Sequence, residues 1–143
     1  MKLALAADHG GYELKEIIKE HLSKRDDIEL LDIGTHSEES VDYPEFGKAC
    51  ALLVAAGEAD KGIVFCGTGI GISIAANKVK GIRCALVTNV FMAEMSRKHN
   101  DANMLALGGR VLSVEEAVSI VDVWLSTDFE GGRHQRRVDL LEC

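Results

Sequence analysis

Cys66 begins a loop in which glycine occupies every second position. The stretch from Lys61 to Ser73 reads Lys-Gly-Ile-Val-Phe-Cys-Gly-Thr-Gly-Ile-Gly-Ile-Ser, and its loop glycines are Gly67, Gly69 and Gly71. Such glycines let consecutive backbone N–H groups turn toward one point, and a helix starting near Gly71 would add about half a positive charge there. Oriented N–H donors and a helix N-terminus favour a thiolate. The stretch therefore predicts an anion-binding loop with a reactive cysteine.

The alternative for this stretch is a buried core cysteine before a tight strand-to-helix turn. A core cysteine does not need three alternating glycines after it, so we favour the functional interpretation. A dinucleotide fingerprint would need its third glycine at position 72, and the phosphate loop of NTPases needs a Lys-Ser/Thr pair that this stretch lacks. A cysteine phosphatase would need an arginine where Ile72 stands. The thiol is therefore interpreted as a base and not as a phosphoryl acceptor.

The elements that must position this loop alternate between strand and helix. Apolar runs typical of strands cover about residues 3–7, 28–33, 63–66, 83–87 and 104–107. Helical spacing follows each run, over about 11–23, 42–57, 71–78, 90–98 and from 113 onward, where Ser113-Val-Glu-Glu116 is a capping box. This alternation predicts a Rossmann-like α/β fold in which a parallel sheet is covered on both faces, in a single domain over residues 1–143.

Further polar side chains follow the ends of the other apolar runs. They are Asp8 and His9 after the first run, Thr88 and Asn89 after the fourth, and Arg110 after the fifth. Ligands bind parallel sheets outside the carboxyl ends of the strands, so one crevice is predicted. His9 stands beside two glycines and is favoured as an anion or substrate contact. Asp8 would serve equally as a helix cap, and Asp42 is expected both to cap a helix and to line the crevice.

A second candidate anion site is the basic cluster near the end of the sequence. Arg133 and Arg137 are four residues apart, so on a helical turn they share a face while Arg136 points elsewhere. This pair suggests a phosphate clamp, with a solvated basic tail as the alternative. His99 follows a predicted helix, where a histidine often only complements the helix dipole.

Composition limits the classes of function. The 143 residues are 47% hydrophobic and 27% charged, with a net charge of −7, which argues against nucleic acids and anionic membranes as partners. The apolar run at the amino end stops at Asp8, too short for a secretory leader, and we expect no membrane span. Four cysteines, Cys50, Cys66, Cys84 and Cys143, show no zinc spacing, so we expect reduced thiols in a cytoplasmic protein.

Five motifs together resemble the type B ribose-5-phosphate isomerases, in the order of that family and over essentially the whole chain. They are Ala-Asp8-His9-Gly-Gly, Ser-Val-Asp42-Tyr43-Pro44, the stretch from Cys66 to Lys78, Ser-Arg-Lys-His99-Asn100-Asp-Ala-Asn103 and Gly-Gly-Arg133-His-Gln-Arg-Arg137. The resemblance implies a three-layer α/β/α sandwich with a five-stranded parallel sheet. It also implies a homodimer or a pair of dimers, and catalysis without a metal or other cofactor.

The implied reaction interconverts ribose 5-phosphate and ribulose 5-phosphate through a cis-enediolate, a step of the pentose phosphate pathway. By similarity Cys66 is the base, the amides of Gly67 to Gly71 with Thr68 hold the oxyanion, and His99 with Asp8 opens the furanose ring. The implied phosphate contacts are His9, Arg110, Arg133 and Arg137. The implied hydroxyl contacts are Asp42, Tyr43 and Asn100.

The length of the fourth helix predicts that each active site is shared between two chains. That helix starts near the carboxyl edge of the sheet and runs back for about ten residues, which puts His99 about 15 Å from the edge with Cys66. If His99 opens the sugar ring, it must act in the crevice of a neighbour, and a two-fold dimer allows both chains the same exchange.

Two other functions stay open at this point. One is isomerisation of a six-carbon sugar phosphate, such as allose or galactose 6-phosphate, because a substrate longer by one carbon shifts the phosphate only slightly. The other is a non-catalytic domain that binds phosphorylated metabolites. Such a domain would use the glycine loop and the arginines, but it would have no use for the thiol of Cys66.

Overall fold

Five short strands form one parallel sheet in the computed structural model, which describes residues 1–142. They are β1 (Lys2–Ala7), β2 (Glu29–Asp32), β3 (Lys61–Cys66), β4 (Cys84–Leu86) and β5 (Met104–Gly108). Their order is β2-β1-β3-β5-β4, and each neighbouring pair is parallel. The three central strands are almost wholly buried, which explains why their sequences are nearly continuous apolar runs.

Helices cover both faces of this sheet. They are α1 (Tyr12–Ser23), α2 (Tyr43–Ala55), α3 (Ile70–Asn77), α4 (Val90–Lys98), α5 (Val114–Ser126) and α6 (Arg133–Leu141). One hydrophobic cluster joins α1, α4 and α5 to one face, and a second joins α2 and α3 to the other. The predicted three-layer α/β/α fold is therefore confirmed, while α6 is a helix beyond the five predicted strand–helix pairs.

The sequence signals for helix starts agree with the structure, except for the cap that Asp42 was expected to provide. The capping box is present: the Glu116 N–H donates to Ser113 Oγ at 3.1 Å, and the Ser113 N–H donates to Glu116 Oε1 at 2.9 Å. Asp42 occupies the N-cap position of α2, but its side chain makes no capping hydrogen bond, contrary to expectation. Pro44, at the second helical position, lacks one of the two N–H groups that a cap side chain usually binds.

A buried ion pair ties α1 to the end of β2. Lys15 is fully buried, and its Nζ donates to both carboxylate oxygens of Asp32 at 2.8 Å. Lys19 Nζ donates to the same carboxylate at 2.9 Å. This pair holds the helix that follows the β1 loop, and so fixes where that loop enters the crevice.

None of the helices described within residues 1–142 is long and apolar enough to cross a membrane. Cys50, Cys66 and Cys84 are free thiols. Cys143, which we also expect to be reduced, lies outside the described residues.

Candidate active site

The Cys66 loop forms the floor of a crevice at the carboxyl edge of the sheet. Cys66 ends β3, is only 5% exposed, and its Sγ accepts the Gly69 N–H at 3.1 Å. Gly69 takes this position with φ = 81°, a left-handed conformation that a residue with a β-carbon rarely adopts, and α3 starts directly after it. A donor aimed at the sulfur and a helix N-terminus beside it are the surroundings predicted for a reactive thiol.

Thr68 belongs to the same loop and is exposed to the crevice side of the chain's surface. Its Oγ1 accepts the Ile70 N–H at 3.2 Å, so the hydroxyl helps to start α3 while its own hydrogen stays available. The loop therefore offers both backbone N–H groups and a hydroxyl to an incoming oxygen.

The loop after β5 packs directly on the loop of Cys66. The Gly109 N–H donates to the carbonyl of Cys66 at 2.8 Å, and the Arg110 N–H donates to the carbonyl of Gly67 at 2.9 Å. A β-carbon at Gly67 would lie 2.9 Å from Nη1 of Arg110, so the guanidinium rests against this glycine. Arg110 therefore lies beside the Cys66 loop of its own chain.

The loop after β1 forms the next wall of the crevice. Asp8 is buried, and its Oδ1 accepts the N–H groups of Gly10 at 2.9 Å and Gly11 at 3.1 Å. The carboxylate thus holds the turn before α1 and is not the N-cap residue of that helix, which is Gly11. Asp8 keeps this turn rigid close to the thiol.

His9 is oriented by the segment that precedes α2. Its Nδ1 accepts the Val41 N–H at 3.1 Å, so in the neutral ring the proton is on Nε2, which is free to donate to an anion. His9, Gly10, Gly109 and Arg110 all line one cavity of about 290 Å³. Two of the predicted phosphate contacts therefore face the same space.

The start of α2 supplies two exposed side chains to this region. Tyr43 follows Asp42, and its ring lies so close to Gly71 that a β-carbon there would be 2.7 Å from the ring. Tyr43 is 42% exposed although it packs on the glycine loop. The predicted hydroxyl contact is thus placed beside the helix end that follows Cys66.

The remaining predicted residues lie at the opposite, amino edge of the sheet. His99 is the C-cap of α4, and Asn100 follows it. These two residues and Arg137 of α6 line a cavity of about 210 Å³ together with His134, Val138 and Leu141. Arg133 and Arg137 occupy adjacent turns of α6, as the spacing predicted, and both are exposed.

The candidate residues therefore form two groups. The carboxyl-edge group contains Asp8, His9, Asp42, Tyr43, Cys66 to Gly71 and Arg110. The amino-edge group contains His99, Asn100, Arg133 and Arg137. β5 runs between the two edges and pairs Met104 with Gly62 and Gly108 with Cys66. Its four residue steps span about 13 Å at roughly 3.3 Å per residue, so one chain does not bring the groups together.

Within the amino-edge group, His99 stacks on His134. The ring centroids are 4.3 Å apart and the planes differ by 14°. Oε1 of Glu130 lies 3.8 Å from Nε2 of His99 and 3.6 Å from Nε2 of His134. In residues 1–142 this is the one group of three side chains close enough together to suggest a metal site. Two nearly parallel imidazoles at this separation cannot both direct an in-plane lone pair at one ion, so the arrangement does not fit a preformed metal centre.

Two arginines, Arg83 and Arg97, hold the segment around His99. Both are buried or half-buried, and the sequence did not single them out. Arg97 donates to the carbonyls of Thr127 at 3.1 Å and Ala102 at 2.8 Å, and to the Asp101 carboxylate at 2.8 Å. Arg83 donates to the carbonyl of Asn100 at 3.1 Å. Asp101 and Ala102 lie only four and five residues after Arg97. The bonds to Thr127 and Asn100 join residues distant in the chain, so no local spacing indicates them.

Glu130 and His134 were also missed as functional candidates. The only sequence signal for His134 is its position four residues before Val138, which makes the two the buried stripe of α6. Glu130 lies in the turn before α6, where its N–H donates to the carbonyl of Lys98 at 3.2 Å. That contact brings the turn against the end of α4.

The sequence matches the model of one protein family, described as Ribose/Galactose Isomerase, over residues 3–141. A similar curated protein is "Ribose-5-phosphate isomerase B" of Escherichia coli (strain K12), which is 51% identical over 140 residues, covering 98% of this chain and 93% of that protein. The "Ribose-5-phosphate isomerase B" of Mycobacterium tuberculosis (strain CDC 1551 / Oshkosh) is 46% identical over 143 residues, covering 99% and 88%.

Solved structures of high similarity have the same fold. The Clostridium thermocellum Ribose-5-Phosphate Isomerase B structure has a TM-score of 0.97 and 58% identity, covering 99% of this chain and 95% of that one. The structure of Ribose-5-phosphate Isomerase B from Mycoplasma genitalium with bound Ribulose-5-phosphate has a TM-score of 0.93 and 42% identity, covering 99% and 93%.

Proposed function

The chain belongs to the Ribose/Galactose Isomerase family, and we propose that it interconverts ribose 5-phosphate and ribulose 5-phosphate in the pentose phosphate pathway. The observation that carries this proposal is the surroundings of Cys66. Its sulfur ends a central strand, accepts a backbone N–H at 3.1 Å and is followed by a loop of further N–H donors. A thiol held in this way suits a base that moves a proton between neighbouring carbons, and the relatives that share the fold are named for that reaction.

In the proposed mechanism Cys66 transfers a proton between two carbons of the open-chain sugar. The thiolate takes the proton from C2 of the aldose and leaves a cis-enediolate whose charge is on O1. The hydroxyl proton on O2 passes to O1, the Cys66 thiol returns its proton to C1, and C2 becomes the carbonyl of the ketose. Negative charge develops on the substrate oxygens, where the amides of Gly67 to Gly71 and the hydroxyl of Thr68 provide preorganised donors. The scheme uses only side chains and backbone of the protein, so its assay needs no added metal.

We assign the other residues to opening and anchoring the sugar. His99 and Asp8 open the furanose ring before proton transfer. His9, Arg110, Arg133 and Arg137 bind the phosphate, whose binding energy positions the reacting carbons. Asp42, Tyr43 and Asn100 orient the hydroxyl groups. The free Nε2–H of His9 and the guanidinium of Arg110 in one cavity support this assignment.

We further propose that two chains form a dimer, alone or as half of a pair of dimers, and share each active site. The separation of the two groups by the length of β5 supports this arrangement, because His99 does not reach its own Cys66. Exposed apolar side chains on α3 and at the start of α4 offer a surface for a second copy. They are Ile70, Ile74, Val90, Phe91 and Met92.

Because the proposed reaction needs Cys66 as a free thiol, we expect the protein to act in a reducing compartment such as the cytoplasm.

The deciding experiment is an isomerase assay of the purified protein on ribose 5-phosphate, allose 6-phosphate and galactose 6-phosphate side by side. We expect the highest kcat/KM for ribose 5-phosphate. A higher value for a six-carbon substrate would reassign the substrate, and binding of all three without turnover would indicate a non-catalytic domain.

A further inference from the structure

The carboxylate of Glu130 faces both histidines of the amino-edge group. Its Oε1 lies 3.8 Å from Nε2 of His99 and 3.6 Å from Nε2 of His134. The Glu130 N–H donates to the carbonyl of Lys98, the residue directly before His99, so the backbone of the turn places Glu130 beside the end of α4. The Glu130 side chain is half exposed, and its two contacts with the rings are charge contacts longer than a hydrogen bond.

Charged groups around the two rings are mainly positive. α4 contributes Lys98, whose Nζ pairs with Glu94, and α6 contributes Arg133 and Arg137. Glu130, in the turn between α5 and α6, is the acidic group that the described contacts place against both rings. Its charge opposes the effect of burial and of the neighbouring cations, which lower the pKa of His134.

The two histidines are not equivalent. His134 is buried, and burial, together with the neighbouring His99 and Arg133, lowers its pKa. The His99 side chain is 41% exposed and lines the cavity, while the stacked His134 ring restrains its plane. His99 is therefore the ring of this pair that substrate can reach.

Ring opening needs a proton donor at one oxygen and an acceptor at another. The bond between C1 and the ring oxygen O4 breaks, O4 takes up a proton, the C1 hydroxyl loses one, and C1 becomes an aldehyde. The proton lost from O1 passes to a base on the Cys66 side of the site, for which Asp8 is the candidate. Protonated imidazole at His99 is the group that can supply the proton to O4.

We propose that Glu130 is a positioning residue for ring opening: its carboxylate holds the His99 ring, stacked on His134, where that ring can donate a proton to O4. The proposal rests on the proposed isomerase function and adds to it a residue in the turn before α6. Glu130 acts only on the ring-opening step, because Cys66 in the carboxyl-edge group carries out the proton transfer between C1 and C2.

The test compares Glu130→Gln with Glu94→Gln in the full-length protein. Both substitutions remove one carboxylate from a residue near Lys98, but Glu94 does not face the histidines. Two rates are measured for each variant. The first is the conversion of ribose 5-phosphate, which requires ring opening. The second is the exchange of one C1 hydrogen of ribulose 5-phosphate with solvent deuterium, which requires only Cys66 and the open-chain ketose. Proton NMR follows the exchange.

We expect Glu130→Gln to slow conversion by about tenfold or more and to change exchange by less than about twofold. Glu94→Gln should change neither rate. The proposal is overturned if conversion and exchange fall together, if neither changes, or if Glu94→Gln has the same effect. Failure of the proposed function itself is recognised separately, since the unsubstituted protein would then show neither conversion nor exchange.

Discussion

At the scale of single residues, the three described cysteines differ in what surrounds the sulfur. Burial raises the pKa of Cys84 to about 12, and burial also raises the pKa of Cys50 well above its ordinary value. Both therefore remain uncharged thiols at neutral pH. Among these three thiols, the sulfur that accepts a backbone N–H is that of Cys66, from Gly69. The loop around Cys66, and not its residue type, therefore distinguishes it from the other two.

Replacing Cys66 tests this distinction directly. Cys66→Ala should lower kcat for ribose 5-phosphate on the order of 100-fold to 10,000-fold, because a catalytic base is lost. Calorimetry should detect nearly unchanged binding of the sugar phosphate, since the phosphate contacts remain. Cys84→Ala is the matched control and should keep normal turnover. Full activity of Cys66→Ala would remove this thiol from the mechanism.

The arginines of α6 allow a second residue-level comparison. Arg137 lines the amino-edge cavity and shares a helix face with Arg133, whereas Arg136 is not among the residues that line that cavity. We expect Arg137→Ala to raise the Michaelis constant for ribose 5-phosphate about tenfold or more, and Arg136→Ala to raise it by less than about twofold. Steady-state kinetics measure both. Equal effects would mean that α6 does not contact substrate through this face.

At the scale of secondary-structure elements, local sequence signals predicted most of the fold. The alternation of apolar runs and helical spacing gave all five strands, and the Ser113 capping box marked the start of α5 correctly. Elements with weak local signals were less well predicted: β4 has only three residues, against the five expected. The cap expected from Asp42 is missing because the nearby proline removes an N–H, a conflict between two signals that each favour a helix start.

The ion pair between α1 and β2 should be a strong local contribution to stability. Burial alone would raise the pKa of Asp32, but hydrogen bonds from Lys15, Lys19 and the Gly34 N–H outweigh it and lower this pKa to about 2. The folded state therefore favours the carboxylate. Its stabilisation, about 2 kcal/mol, is present above the pKa of the unfolded carboxyl near 4 and is lost as pH falls toward 2.

We expect Asp32→Asn to lower the free energy of unfolding by about 3 kcal/mol at pH 7, because the fully buried Lys15 loses its closest partner. Asp27→Asn provides the control, since Asp27 pairs with Arg25 at an exposed site, and its effect on the free energy of unfolding should be much smaller. Urea unfolding measures both. The difference between wild type and Asp32→Asn should shrink between pH 5 and pH 2, and a constant difference would contradict the pKa argument.

At the scale of the whole molecule, the sequence predicted the residues of the carboxyl-edge and amino-edge groups better than the residues that hold those groups in place. The rule that ligands bind at carboxyl strand ends grouped His9, Cys66 and Arg110, and the length of α4 put His99 at the other edge. Glu130 and Arg97 each have one partner four residues away, His134 and Asp101. Their partners in other segments, His99 and Thr127, meet them only after α4, α5 and α6 have packed, so the sequence does not indicate these contacts. Long-range contacts of this kind leave no periodicity in a single sequence.

Mixing two inactive variants tests whether chains share their sites. Cys66→Ala and His99→Ala subunits, combined after reversible dissociation, should form mixed dimers in about half of cases, each with one intact site. About a quarter of wild-type activity should therefore return, measured as conversion of ribose 5-phosphate. Mass spectrometry confirms the exchange of subunits. If exchange occurs and activity does not return, Cys66 and His99 act within one chain.

The placement of the two groups at opposite edges of one sheet also has a genetic consequence. Under the proposed sharing, a copy damaged at both Cys66 and His99 spoils both sites of any dimer it enters, because each site needs one residue from each chain. A cell that makes equal amounts of intact and doubly damaged chains would keep only its fully intact dimers active, about a quarter of the total. Such an allele would be dominant, although β5, about 13 Å long, separates the two edges at which the altered residues lie in their own chain.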